Sequence, residues 1–130
     1  MSTIERKRAG ERLRKIISIA EKVVDEIRYK YLTDIEEYLA NGYSEHDCVE
    51  INGTVAEILK KRYRLDAELV PVHPLLDYIS NKHYAVLLKI NGKEYIIDAV
   101  PEMTGLFNYI YDAIVCEKKK YAELILEATS

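Results

Sequence analysis

The chain has no tryptophan, one phenylalanine and only two cysteines among its 130 residues. Two cysteines cannot build the multiple disulfides of a small secreted domain, so we expect reduced thiols and a cytoplasmic protein. No apolar run approaches the length that a membrane helix needs, and the charged start MSTIERKRAGER lacks the apolar core of a secretory signal. These absences argue against membrane-spanning proteins and against disulfide-stabilised secreted domains.

What the chain does contain is an ordinary globular balance, with 48% apolar and 32% charged residues. That balance excludes wholesale disorder, and the absence of repeats and linkers predicts a single domain over residues 1–130. Abundant isoleucine, lysine, glutamate and tyrosine with few glycines is also typical of a thermophile.

The net charge of −3 is distributed unevenly along the chain. Residues 1–30 carry nine basic and five acidic side chains, whereas the other 100 residues carry ten basic and 17 acidic ones. A basic first helix is one means of binding nucleic acid or an acidic partner. Because acidic side chains are interspersed through the same stretch, we favour a solvated helix face and do not expect nucleic acid as a partner.

Hydrophobic periodicity and capping signals place helices first, strands next and one more helix last. The predicted helices cover 4–31, 33–41, a third from the start signal at 44–47 to about residue 63, and 105–127; the predicted strands cover 67–72, 83–90 and 93–100. This order predicts an α+β fold in which a Cys-bearing helix packs on a small antiparallel sheet. A helical extension at 1–43 and a carboxy-terminal helix within 101–130 flank the core at 44–100.

Cys48 falls in the first turn of the third predicted helix. The partial positive charge and the backbone N–H groups at a helix N-terminus favour a thiolate and can stabilise a developing oxyanion. The alternative is that Cys48 is a small buried hydrophobic residue, because cysteine is among the most buried residue types. Cys116 lies among Ile114 and Val115 in the last predicted helix, and we assign it to packing.

A histidine and an aspartate are brought together by the predicted hairpin. Asn91-Gly92 between two alternating segments is the signal of a two-residue turn, which pairs Ile90 with Lys93. In that register His83 and Asp98 are diagonal neighbours on one face of the hairpin, within reach of a hydrogen bond. The opposite face is apolar and is expected to form core under the helices. Without a nearby nucleophile, the two residues would be only a polar pair at a strand end.

Cys48, His83 and Asp98 together have the residue types of a catalytic triad. Histidine can take and return a proton near neutral pH, and a carboxylate can orient the ring and stabilise its charged form. Three further residues are candidates for binding or support: Asn52 one helical turn after Cys48, His46 at the entrance, and Tyr84 directly after His83. Asn52 has the alternative reading of a satisfied polar residue with no role in the site. No zinc-site spacing links His46, Cys48, His73 and His83, so no metal and no cofactor is expected.

Residues 44–100 resemble a known superfamily of cysteine enzymes. Cys48-Val49-Glu50-Ile51-Asn52-Gly53 is similar to the Cys-x-Glu-x-Asn-Gly stretch of arylamine N-acetyltransferases, and His83-Tyr-Ala-Val-Leu-Leu with Tyr95-Ile-Ile-Asp98 is similar to their His and Asp strands. The same order of Cys helix, His strand and Asp strand marks transglutaminase-like proteins. The resemblance implies a papain-like fold, with Cys48 as nucleophile, His83 as general base and acid, and Asp98 as the orienting group.

The resemblance therefore implies thiol-dependent acyl transfer, or hydrolysis of an amide or peptide, with a protein or peptide substrate. The acetyltransferases are about twice as long and bind acetyl-CoA through later segments, so we favour a hydrolase or a protein-amide enzyme over an acetyltransferase. The alternative is a non-catalytic interaction module that keeps the fold and binds a partner or nucleic acid through the basic first helix. In that alternative the functional surface is the basic first helix or a homodimer built on it.

Overall fold

The computed structural model describes residues 2–72, 83–104 and 112–129. Helices come first in the chain, followed by most of the sheet and a final helix. The elements are α1 Thr3–Lys30, α2 Leu32–Asn41, α3 Cys48–Lys61, β1 Asp66–Pro71, β2 Tyr84–Ile90, β3 Lys93–Asp98, a 3-10 turn Pro101–Thr104, β4 Ile114–Glu117 and α4 Lys118–Thr129. The predicted α+β class, with the Cys-bearing helix on a small antiparallel sheet, is confirmed.

The four strands form one antiparallel sheet in the order β1-β2-β3-β4. Between β2 and β3, Asn91 and Gly92 both adopt positive φ, 51° and 80°, as a type I′ turn requires. Ile90 pairs with Lys93 and Val86 pairs with Ile97, which is the predicted register. A slip of one residue would have turned Asp98 to the other side of the sheet.

Both faces of the sheet are covered by helices. On one face, apolar side chains of α1 and α3 pack against Val86, Leu88 and Ile97 in the larger core. On the other face, Tyr121 and Ile125 of α4 pack in a smaller buried cluster. The remaining buried members of that smaller cluster are Val72, Ala85, Ile96 and Ile114. The end of β3 therefore lies between α3 and α4, where groups from both helices can reach it.

The helix starts agree only in part with the capping signals in the sequence. Ser2 caps α1 as predicted, since its hydroxyl accepts a hydrogen bond from the Glu5 N–H at 3.1 Å. The segment Thr33-Asp34-Ile35-Glu36 has the pattern of a capping box, which predicts a helix start at Thr33, and this prediction is wrong: α2 begins at Leu32, and Tyr31 occupies the cap without a side-chain hydrogen bond. Only Tyr31 separates α1 from α2, so this one residue ends the first helix and begins the second, and its side chain cannot act as a polar N-cap.

The predicted helix over 105–127 is wrong for residues 114–117, which form β4. Ile114 and Val115 are β-branched, a type that suits strands, and β3 is buried and would otherwise present an unpaired edge. Pairing with β4 satisfies that edge, so the tertiary setting overrides a helical spacing of apolar residues. Cys116 thus lies in a strand, half-buried against the smaller cluster. Residues 105–111 of the predicted helix lie outside the described residues, and α4 confirms the helix from Lys118.

The turn geometry predicts opposite effects for one substitution at two glycines. Gly92→Ala should lower the free energy of unfolding by about 1 kcal/mol, because an L side chain is strained at a φ of 80°. Gly53→Ala is the matched control in α3, where a Cβ would lie 3.8 Å from Leu69 Cδ2, and it should raise stability by roughly 0.5–1 kcal/mol. Urea denaturation measures both, and the same sign of effect at both positions would contradict the left-handed turn.

Candidate active site

Cys48 is the first residue of α3. Asp47 caps this helix, since its carboxylate accepts hydrogen bonds from the backbone N–H groups of Val49 and Glu50 at 3.1 and 3.3 Å. Cys48 is 6% exposed and belongs to the larger core. The helix dipole therefore places partial positive charge at an almost buried thiol.

His83 and Asp98 form a buried hydrogen-bonded pair. His83 Nε2 lies 2.7 Å from Asp98 Oδ2, and both residues are 0% exposed. His83 directly precedes β2, and its carbonyl accepts a hydrogen bond from the Val72 N–H at 2.7 Å. The backbone of the histidine is thereby fixed to the chain that leaves β1, so the ring approaches Asp98 from a defined position.

The Asp98 carboxylate accepts four hydrogen bonds. Oδ1 accepts from Asn52 Nδ2 and from the Val100 N–H, both at 3.0 Å. Oδ2 accepts from His83 Nε2 and, at 2.9 Å, from the Tyr121 hydroxyl. Four donors match the acceptor capacity of an ionised carboxylate, which makes its charge tolerable at this buried position.

Asn52 joins the Cys-bearing helix to strand β2 and to the end of β3. Its Nδ2 donates to the Tyr84 carbonyl at 2.8 Å as well as to Asp98, and its Oδ1 accepts from the Ala99 N–H at 2.8 Å. Asn52 is completely buried. Its polar groups are therefore all hydrogen-bonded, as the structural hypothesis for Asn52 expects, and one of these bonds is made to Asp98, as the supporting role expects.

Burial opposes the charged forms of His83 and Asp98, but their mutual attraction is stronger. Burial lowers the pKa of His83, yet the charge and hydrogen bond of Asp98, together with a hydrogen bond and charge from Cys48, raise it well above 6.5. Burial likewise raises the pKa of Asp98, but His83, Asn52 and Tyr121 lower it below 3.8. An imidazolium beside a carboxylate is the state that these contacts favour at neutral pH.

The second ring nitrogen of His83 points to the role of Cys48. Nδ1 is buried and has no partner within strict hydrogen-bond geometry, whereas Cys48 interacts with the ring closely enough to raise the pKa of His83. Since Nε2 is occupied by Asp98, we infer that the thiol of Cys48 faces Nδ1. The arrangement thus brings together all three residues of the expected triad.

The other two supporting candidates have different surroundings. His46 binds Asp34 through Nδ1 at 3.1 Å, approaches Glu50 at 3.4 Å, and packs edge-on against Tyr31. These contacts hold the segment before α3 and do not bring the His46 ring to His83. Tyr84 contributes its backbone carbonyl to Asn52, while its half-buried side chain packs against the larger core.

A metal site is not formed by the described part of the chain. Within residues 2–72, 83–104 and 112–129, no three side chains of His, Cys, Asp or Glu are placed to hold an ion. His73, considered with His46, Cys48 and His83 as a zinc ligand, lies outside the described residues.

Two features of the site have no signal in the sequence. Tyr121 is one of eleven tyrosines and reaches Asp98 only because α4 crosses the sheet at this point. Arg28 of α1 binds the Ala99 carbonyl at 2.6 Å and both carboxylate oxygens of Glu102 at 3.0 and 2.8 Å. The Arg28 guanidinium thereby fixes the chain just after Asp98, an arrangement that we call the Arg28 fork. The partners lie more than 70 positions apart in the sequence, so no local pattern could have predicted this contact.

Comparison with family models, with curated proteins and with solved structures finds no match to this chain. Among the residues that the structure describes, no helix is long and apolar enough to cross a membrane.

The His83–Asp98 pair should make stability depend on pH in a defined direction. Because the folded-state pKa of His83 is raised, its contribution is complete below pH 6.5 and is lost as the pH rises toward the folded value. Because the pKa of Asp98 is lowered, its contribution is complete above pH 3.8 and is lost on acidification through the folded value. The pair should therefore stabilise the fold most between pH 3.8 and 6.5.

The matched control is the double variant His83→Gln, Asp98→Asn, in which neither residue titrates. From pH 6.5 to 8.5, the unfolding free energy of the wild type relative to this variant should fall by about 1.4 kcal/mol per pH unit. Urea denaturation across this range measures the difference. A difference that stays constant with pH would mean that His83 does not gain its proton affinity from Asp98.

Proposed function

We propose that the protein is a cysteine enzyme that transfers an acyl group, or hydrolyses an amide or peptide bond, through Cys48, His83 and Asp98. The observation that supports this most is the buried 2.7 Å bond between His83 Nε2 and Asp98 Oδ2, with Cys48 acting on the same ring. A buried ion pair often stabilises a fold no more than well-packed apolar residues of the same volume would. A charged histidine beside a thiol at a helix N-terminus is, however, what a cysteine nucleophile requires.

The reaction begins with attack of the Cys48 thiolate on a substrate carbonyl carbon. A carbon–sulfur bond forms, the bond to the leaving amine breaks, and the His83 imidazolium gives its proton to that amine. Water or an acceptor amine then attacks the thioester while neutral His83 accepts its proton. The carbon–sulfur bond breaks, and thiolate and imidazolium are restored. Asp98 remains ionised throughout and holds the ring through Nε2.

The start of α3 limits the choice of oxyanion donors. The Asp47 carboxylate already accepts from the N–H groups of Val49 and Glu50, so these two amides are committed to the cap. The contribution that we propose for this turn is therefore the dipole of α3, whose first residue is Cys48.

The substrate that we propose is a protein or peptide carrying the amide or acyl group, and no cofactor takes part in the steps above. The family that these residues resemble, the transglutaminase-like and arylamine N-acetyltransferase-like enzymes, uses the same three side-chain types in the same order. A cytoplasmic location is consistent with thiol chemistry, since the two cysteines remain reduced there.

The second candidate function is a non-catalytic interaction module that binds through α1. One observation favours it: the first turns of this helix are exposed, including Ile4 and the basic residues Arg6, Lys7, Arg8 and Arg12. A surface of this kind would bind an acidic partner or nucleic acid, and the affinity would fall steeply with salt. The two functions make opposite predictions for the reactivity of Cys48.

Alkylation by iodoacetamide separates the two functions, with Cys116 as an internal control. Burial raises the pKa of the Cys116 thiol to about 11, so this cysteine should react slowly at pH 7. We expect Cys48 to be alkylated at least about tenfold faster than Cys116, as peptide mapping by mass spectrometry would measure. His83→Ala should slow the reaction of Cys48 and leave that of Cys116 unchanged.

His46→Ala is the matched histidine control, because His46 precedes Cys48 by two residues and contacts Asp34 and Glu50, yet it lies outside the triad. It should leave Cys48 alkylation within about twofold of the wild type. Equal alkylation of the two cysteines, or a Cys48 rate indifferent to His83→Ala, would refute the catalytic proposal and favour the interaction module.

A further inference from the structure

The two oxygens of Asp98 have different partners. Oδ1 accepts from Asn52 and from a backbone N–H, neither of which carries a charge. Oδ2 is shared by His83 Nε2 at 2.7 Å and the Tyr121 hydroxyl at 2.9 Å. The Tyr121 hydroxyl therefore donates to the same oxygen that binds the imidazole. His83, Asp98 and Tyr121 are all 0% exposed.

We propose that Tyr121 is a positioning residue that limits the basicity of His83 by competing with it for Asp98 Oδ2. This inference rests on the proposed function and extends it, because it makes α4 part of the catalytic assembly. A hydrogen bond from Tyr121 stabilises negative charge on Oδ2, so less of that charge is available to stabilise the imidazolium. Without it, His83 would hold its proton to higher pH.

Tyr121 is suited to act only as a donor. Burial, and then the Asp98 charge and hydrogen bond, raise the pKa of Tyr121 well above 10, and the charges of Cys116 and Cys48 act in the same direction. The hydroxyl therefore stays protonated over the working range of a histidine. Within the described part of the chain, the titratable groups that act on the pair are Cys48 from α3 and Tyr121 from α4, and Cys116 from β4 acts on Tyr121.

This competition serves the two proton transfers of the proposed reaction. In the first half, His83 must release a proton to the leaving group; in the second, it must take one from water or an amine. A general acid–base group works best when its pKa lies near the operating pH. Without a second donor, Asp98 would raise the pKa of His83 further and make proton release to the leaving group harder. The hydrogen bond from Tyr121 to Oδ2 reduces that rise.

Two changes at position 121 should shift the His83 titration in opposite directions. Tyr121→Phe removes the competing donor and should move the titration, followed by ¹⁵N NMR of the imidazole, upward by about one pH unit. Site-specific 3-fluorotyrosine at position 121 has a more acidic hydroxyl, donates more strongly and should move it downward. Tyr95→Phe, a buried tyrosine on the same strand as Asp98 that is not among its donors, is the matched control and should leave it unchanged.

The fluorinated protein keeps the test decisive if Tyr121→Phe does not fold. Shifts of the same sign for both changes, or no shift in either, would overturn the role of Tyr121. A readout separate from the proposed function is available, because the imidazole titration needs no substrate. If Cys48 alkylation is indifferent to His83→Ala, the proposed function fails; if His83 controls Cys48 but Tyr121 does not shift the titration, only this inference fails.

Discussion

The buried bond between His83 and Asp98 is the interaction on which the rest of the site depends. Removing two charges from water costs several kcal/mol per ion, and only complete hydrogen bonding makes the pair tolerable. The surrounding elements supply these hydrogen bonds. The N–H of Val72, just after β1, binds the His83 carbonyl and fixes the histidine backbone. Asp98 accepts from Asn52 of α3, from the Val100 N–H after β3 and from Tyr121 of α4. Well-packed apolar residues would give comparable stability, so stability alone does not explain the pair, and the proposed chemistry does.

The helices divide the work of holding this pair between them. α3 carries both the Cys48 thiol and the Asn52 amide that binds Asp98, so the thiol and this carboxylate are linked through one rigid element. α4 covers the opposite face and closes the site with Tyr121. α1 acts at longer range, because the Arg28 fork binds Glu102 and the Ala99 carbonyl and thereby fixes the chain as it leaves Asp98. A small displacement of any of these helices would therefore change the position of the His83 imidazole relative to Asp98.

The sequence was informative where the determinants are local. Asn91-Gly92 fixed the register, and the register placed His83 near Asp98; the start signal before Cys48 located the N-terminus of α3. Prediction from the sequence was wrong where pairing with a distant strand determines the local structure. Residues 114–117 have the apolar spacing of a helix but pair with the edge of β3 as a strand. The docking of α3 beside the hairpin and the approach of Tyr121 to Asp98 depend on contacts between distant segments. No spacing in a single chain encodes such contacts.

The central claim is that Cys48, assisted by His83, forms a covalent bond with an acyl group. Intact-protein and peptide mass spectrometry after brief exposure to an activated acyl ester, at neutral pH, tests it most directly. We expect one acyl group per chain, located on Cys48, absent in Cys48→Ala, strongly reduced in His83→Ala and retained in Cys116→Ala. Acylation spread over lysines and Cys116, or a Cys48 adduct formed equally fast without His83, would contradict the account.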